Sequence, residues 1–180
     1  MKNVLKIVTN GAVIIGAIFI SICFSSQAAA QDGARNSKSV KKETVKMSNA
    51  AGAFDVKTIP QKTDNKEAED AKLGRMSLDK QFHGELEAAS KGEMIYAGGV
   101  SESSGVYVAI ERVTGTLAGK KGSFVLYHTG VMSGEAYDLK VSVMPDSGTG
   151  ELAGLTGTMD IKIEGGKHFY EFKYALPEKK

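Results

Sequence analysis

The stretch GVYVAIERVTGTLAGKKGSFVLYHTG, Gly105 to Gly130, decides the fold. Val, Ile, Tyr, Phe and Thr dominate two arms joined by Ala118-Gly119-Lys120-Lys121-Gly122. Such residues suit a pleated, half-buried surface, and Gly119 and Gly122 supply the backbone freedom of a hairpin loop. Period-2 alternation sorts each arm into faces. In the second arm Phe124, Leu126 and His128 share one face, and Ser123, Val125, Tyr127 and Thr129 the other. In the first, Tyr107, Ala109, Glu111 and Val113 lie opposite Val106, Val108, Ile110 and Arg112. A long hairpin, apolar on both sides with a few ionisable groups set into it, reads as the wall of a barrel or sandwich.

Working outward, the same alternation marks further strands. Ala53–Ile59 forms a first, closed by Pro60, and Leu73–Leu86 a second, with Met76, Leu78, Lys80, Phe82 and Leu86 on one face. Ser90–Tyr96 gives a third, stopped by Gly98-Gly99, and the central hairpin the fourth and fifth. Tyr137–Val143, Gly157–Ile163 and His168–Tyr174 complete eight. Gln61–Ala71, charged and lacking a pattern, reads as an exposed loop with a possible helical turn at its end. Eight strands joined by short Gly-rich turns form an up-and-down meander. Closing it into a barrel removes the edges that would seed aggregation. An eight-stranded barrel has room for packed side chains or one small ligand.

The first thirty residues stand apart from this pattern. Lys2 and Lys6 precede an apolar run from Gly11 to Phe24, and Ser26-Gln27-Ala28-Ala29-Ala30 offers an Ala-x-Ala site. This is the signature of a secretory signal peptide cut after Ala30. The run's 14 residues fall short of the roughly 20 that a bilayer span needs. Bulky Ile22 before Cys23 argues against lipoprotein attachment. Export to the periplasm or beyond is therefore expected, with no membrane anchor after cleavage. The 150 residues beyond Ala30 contain no cysteine, so stability must come from burial in a single core rather than disulfides. Residues 31–50 carry a net charge of +3 and lack large apolar side chains, reading as a disordered basic linker before one barrel domain at 51–177. From Ala51 onward 16 basic residues face 19 acidic ones. The two parts cancel, and no strong field argues for nucleic acid.

If the apolar faces point inward, Lys80, Glu111, His128 and His168 go with them. A buried Lys or Glu is costly unless paired, so a Lys80–Glu111 pair follows. It is either a structural ion pair or the polar end of a ligand pocket. Turning the fourth strand over would bring in Arg112 instead of Glu111. The three histidines lie on separate strands without metal-ligand spacing, so no metal or other cofactor is expected. No G-x-S-x-G elbow is present, and Gly148-Thr149-Gly150 lacks the Lys-Ser/Thr ending of a phosphate loop. Catalytic residues remain unassigned on this basis.

LGRMSLDKQFHGELEAASKGEM at 73–94, GVYVAIERVTGTL at 105–117, GSFVLYHTG at 122–130, VMPDSGTGELAGLTGTM at 143–159 and GKHFYEFKYAL at 166–176 resemble a bacterial family of unknown function, DUF3224. The family looks like the allene oxide cyclase barrels. The glycine run Gly148–Gly157 is similar to one that in dirigent proteins and plant cyclases lies at a barrel rim near the pocket. The resemblance implies an all-β, closed eight-stranded antiparallel meander with Lys80, Phe82, Tyr107, Glu111, His128, Glu151 and Tyr170 as ligand-binding candidates. It also implies a homo-oligomer, as the related plant proteins form. The leading expectation is a barrel that binds a small apolar or amphipathic ligand. One alternative is a cyclase or isomerase using Glu111 or His128. The other is a fully packed structural barrel acting through an outer patch of Val106, Val108, Ile110 and Val125.

Overall fold

A computed structural model describes residues 46–65, 67–68 and 70–177. The expected signal peptide, and the expected linker up to Val45, lie outside the described residues. Eight antiparallel strands follow in chain order: β1 (Met47–Gln61), β2 (Leu73–Gly84), β3 (Leu86–Gly98), β4 (Ser104–Leu117), β5 (Lys120–Ser133), β6 (Ala136–Val143), β7 (Thr156–Glu164) and β8 (Lys167–Ala175). Each pairs with the next, and β1 also pairs with β8, closing the barrel. The all-β closed meander read from the sequence is the fold.

Two strand boundaries differ from expectation. β1 starts at Met47, inside the segment read as linker, and Ala50 sits opposite Phe172 of β8 with 1% of its surface exposed. Ser48, Ala50 and Gly52 are too small to announce a buried face, so the closing half of the strand gives no hydrophobic signal. The second strand stops at Gly84 rather than running on to Leu86. Gly84 has φ +105°, a conformation L side chains rarely adopt. The chain reverses there, and Leu86 opens β3.

The faces of the central hairpin fall as read. Ala109, Glu111 and Val113 of β4 and Phe124, Leu126 and His128 of β5 are buried, while Val106, Val108, Ile110 and Tyr127 are exposed. Arg112 therefore stays outside. Val125 departs from its expected place in an outer apolar patch. Its N–H donates to Ser147 Oγ at 3.0 Å and its carbonyl accepts from Met144 N–H, so the loop after β6 folds over it and leaves 5% exposed.

The interior divides into two halves. One is packed solid by Leu86, Leu117, Phe124, Leu152, Leu155, Phe172 and their neighbours. Leu152 and Leu155 come from the 144–155 loop, which plugs that end of the barrel. Glycines are required by contact on both sides of this packing: a Cβ on Gly148 of the loop would lie 2.0 Å from the Leu152 carbonyl oxygen, and one on Gly122 of β5 2.1 Å from that of Thr149. The glycine run thus seals the packed end of the barrel. The other half is hollow.

Candidate functional site

The hollow half begins where ionisable groups replace the aromatic core. Lys80 of β2, Ser90 of β3, Glu111 of β4 and His128 of β5 come from four adjacent strands, and their inward parity brings them together. Lys80 Nζ donates to Glu111 Oε1 at 2.6 Å, and the same oxygen lies 2.8 Å from His128 Nε2. Ser90 Oγ donates to Glu111 Oε2. An ionised carboxylate only accepts, so the imidazole proton in this contact sits on Nε2. In the neutral ring Nδ1 is then a lone-pair acceptor, and it has no hydrogen-bond partner among the described residues. Lys80 Nζ also lies 5.1 Å and 5.7 Å from the ring centroids of Phe54 and Phe82, within cation–π range. Gly92, opposite Glu111, admits the carboxylate's backbone: a Cβ there would come within 2.6 Å of Glu111 Cβ.

The electrostatics follow from these contacts. Burial by itself pushes the Glu111 carboxyl up. The His128 hydrogen bond and the Lys80 charge together outweigh it and hold the group down at about 2. Burial likewise lowers Lys80, and Glu111 restores part of the loss. Each partner thus supports the charged form of the other against burial. Burial raises the Tyr107 hydroxyl, reinforced by its 3.0 Å hydrogen bond to Tyr137.

Above this polar floor lies a cavity of about 290 Å³, near the lower end of ligand pockets, roughly 300 Å³ upwards. Phe54, Val56, Leu78, Met94, Leu139 and Ile161 supply its apolar wall, and Lys80, His128, Tyr107, Tyr137 and His168 its polar groups. The His168 ring centroid lies 5.1 Å from that of Phe54.

Of the seven candidates from the sequence, Lys80, Tyr107 and His128 line this cavity, and Glu111 sits directly behind Lys80 and His128. Three others lie elsewhere. Phe82 belongs to the closed core, edge-on to Tyr170. Tyr170 is buried with it. Its hydroxyl accepts from Leu86 N–H at 2.9 Å and donates to the His83 carbonyl at 3.2 Å, clamping the β2–β3 turn. Glu151 sits at the packed end, accepting from Lys121 N–H at 2.9 Å. Sequence reading missed Ser90, a small hydroxyl in the run Ala88-Ala89-Ser90-Lys91-Gly92, and the Tyr107–Tyr137 pair. Only the shared inward parity of Tyr107 and Tyr137 could have signalled the latter.

Comparison with known proteins agrees with this barrel. No curated protein matches the chain. A crystal structure of a DUF3224 protein of unknown function from Shewanella oneidensis MR-1 is similar to it at 50% identity and a TM-score of 0.68, covering 73% of this chain and 100% of that one. The family model described as protein of unknown function (DUF3224) matches residues 50–174, from the closing half of β1 to the penultimate residue of β8. The chain belongs to the DUF3224 family.

Proposed function

We propose that the barrel binds one small, largely apolar molecule whose polar end carries a hydrogen-bond donor. The hollow half-barrel over the Lys80–Glu111–His128 cluster carries this reading. A purely structural barrel would fill that half with side chains, as the other half is filled. Glu111 has both oxygens engaged within the floor. His128 is a cavity-lining residue whose neutral ring keeps Nδ1 as an acceptor, which suits an alcohol, phenol, amine N–H or protonated acid. N-phenyl-1-naphthylamine, neutral and apolar with one N–H, is a suitable fluorescent probe. Met94→Trp extends a ring into the cavity from a lining position outside the packed core. It is expected to weaken probe binding at least tenfold while leaving the melting temperature unchanged or higher. Equal binding by Met94→Trp and the parent would place the probe elsewhere.

A second reading has its own observation. Glu111 orients the His128 ring through Nε2, the arrangement in which a carboxylate positions a general base. In a cyclase or isomerase, Nδ1 would take a proton from the bound molecule and return it at another atom. A molecule recovered from protein incubated in deuterium oxide would then carry non-exchangeable deuterium. An unchanged mass would leave binding alone.

Assembly and location follow as expectations of the same proposal. Ile95, Val106, Val108, Ile110, Tyr127 and Val131 are each exposed and adjoin one another across the outer face of β3–β5. Such a patch on a closed barrel fits a second copy of the chain. The barrel acts outside the cytoplasm, and protein isolated from its host should begin at Gln31; an intact Met1 would refute export by signal cleavage.

A further inference from the structure

The barrel wall is complete except at one seam. β6 and β7 share a single pair in register, Ser142 with Thr158, whereas β5–β6 and β7–β8 pair along eight or more residues. Continuing the antiparallel register from Ser142–Thr158 would set Leu139 opposite Ile161 and Tyr137 opposite Ile163. All four are cavity-lining residues. The stretch where the two strands fail to pair is therefore a slot in the side of the hollow half. Tyr137 and Ile163, near the ends of β6 and β7 where the slot meets the rim, are 52% and 61% exposed.

The charges on the outer side of the slot are arranged consistently with it. The same register would face Lys140 with Asp160 and Asp138 with Lys162. Each instead has a partner on its own side. Lys140 bonds Asp138 at 3.1 Å, Lys162 bonds Glu164 at 2.5 Å and Lys173 of β8 bonds Asp160 at 3.2 Å. Among the described residues no ion pair crosses the seam, so parting it breaks none. Opposite charges nevertheless flank it in complementary order, ready to zip when the strands meet. Unpaired edge backbone is ordinarily covered or blunted. Here it borders an apolar cavity.

We propose that the β6–β7 seam is the portal of the cavity, through which an elongated amphiphile enters with its donor end towards His128 and its apolar tail lying between Leu139–Tyr137 and Ile161–Ile163. This rests on the ligand-binding reading above and adds the ligand's shape: a flat or chain-like molecule longer than the cavity is deep.

The test is to lock the seam. Lys140→Cys with Asp160→Cys places two thiols outside the cavity, on opposite sides of the slot. Oxidation, or a bifunctional methanethiosulfonate reagent if the sulfurs stay too far apart, joins them, and mass spectrometry verifies the link. Ser142→Cys with Thr158→Cys locks the rung that is already paired and serves as the control. Association and release of N-phenyl-1-naphthylamine are followed by stopped-flow fluorescence. The linked 140/160 protein should exchange the probe at least tenfold more slowly than its reduced form, and the linked 142/158 protein at its reduced rate. Unchanged rates in the verified 140/160 link would put the entrance at the open rim of the hollow half and overturn the portal, leaving the binding reading intact. Failure of the parent protein to bind the probe at all would overturn both.

Discussion

Replacing Glu111 by Gln is expected to destabilise the barrel by about 3–5 kcal/mol, the usual cost of stripping one partner from a buried ion pair. Glu111 is 1% exposed and Lys80 7%, so water cannot substitute for the lost carboxylate. Lys80 must then either carry an unbalanced charge among Phe54 and Phe82 or shed its proton. Two further outcomes distinguish this cause from loss of packing. Glu111→Gln combined with Lys80→Met should recover most of the stability, because a charge-free pair of similar size has no desolvation to offset. Raising the pH to about 10 should also recover part of it, since a Lys held below its ordinary value in the fold favours folding as it deprotonates. Urea unfolding of the three proteins at neutral and alkaline pH measures both. Equal loss in the single and double variants would mean that shape, not charge, matters at this position.

Acid should weaken the parent protein through the same group. Glu111 titrates at about 2 in the folded barrel against 4.5 for an unperturbed carboxyl. Its folded value is depressed, so the stability it contributes is complete above about pH 4.5 and lost as the pH falls towards 2. A difference of that size corresponds to about 3 kcal/mol. Glu111→Gln has no such group, so its stability should change less over that window. Matching acid profiles for parent and variant would show that the carboxyl is not held low. The exposed pairs, such as Arg75–Glu93 at 3.0 Å, contribute little here because solvent screens them.

The fold was legible because inward and outward residues alternate strictly through β4 and β5, and the ionisable groups of the site ride on that alternation. Lys80, Glu111 and His128 could be placed inside from parity alone. Their convergence on one oxygen required the register, which pairs Lys80 with Ser90, Gly92 with Glu111 and Ala109 with His128. The β2–β3 reversal was hidden for a physical reason. Phe82 and Leu86 both face the core on either side of Gly84, so the period-2 pattern runs through the turn unbroken. Phe82 and Tyr170 carry the signature of pocket-lining aromatics, yet they lie in the packed half. Sequence separates inside from outside but does not say how far along the barrel axis a residue sits. Glu151 shows the same limit at the far end. The slot between β6 and β7 left no trace, because Leu139, Ile161 and Ile163 alternate as they would in a paired strand. A missing row of backbone hydrogen bonds has no side-chain signature.

The central claim is that the hollow half-barrel holds a molecule, and native mass spectrometry of the protein purified from its own host tests it most directly. A mass above that of the polypeptide is expected, released under denaturing conditions as a single apolar compound bearing a hydroxyl, N–H or acid proton, on a species containing more than one copy of the chain. A bare polypeptide mass that stays bare after incubation with N-phenyl-1-naphthylamine would contradict it.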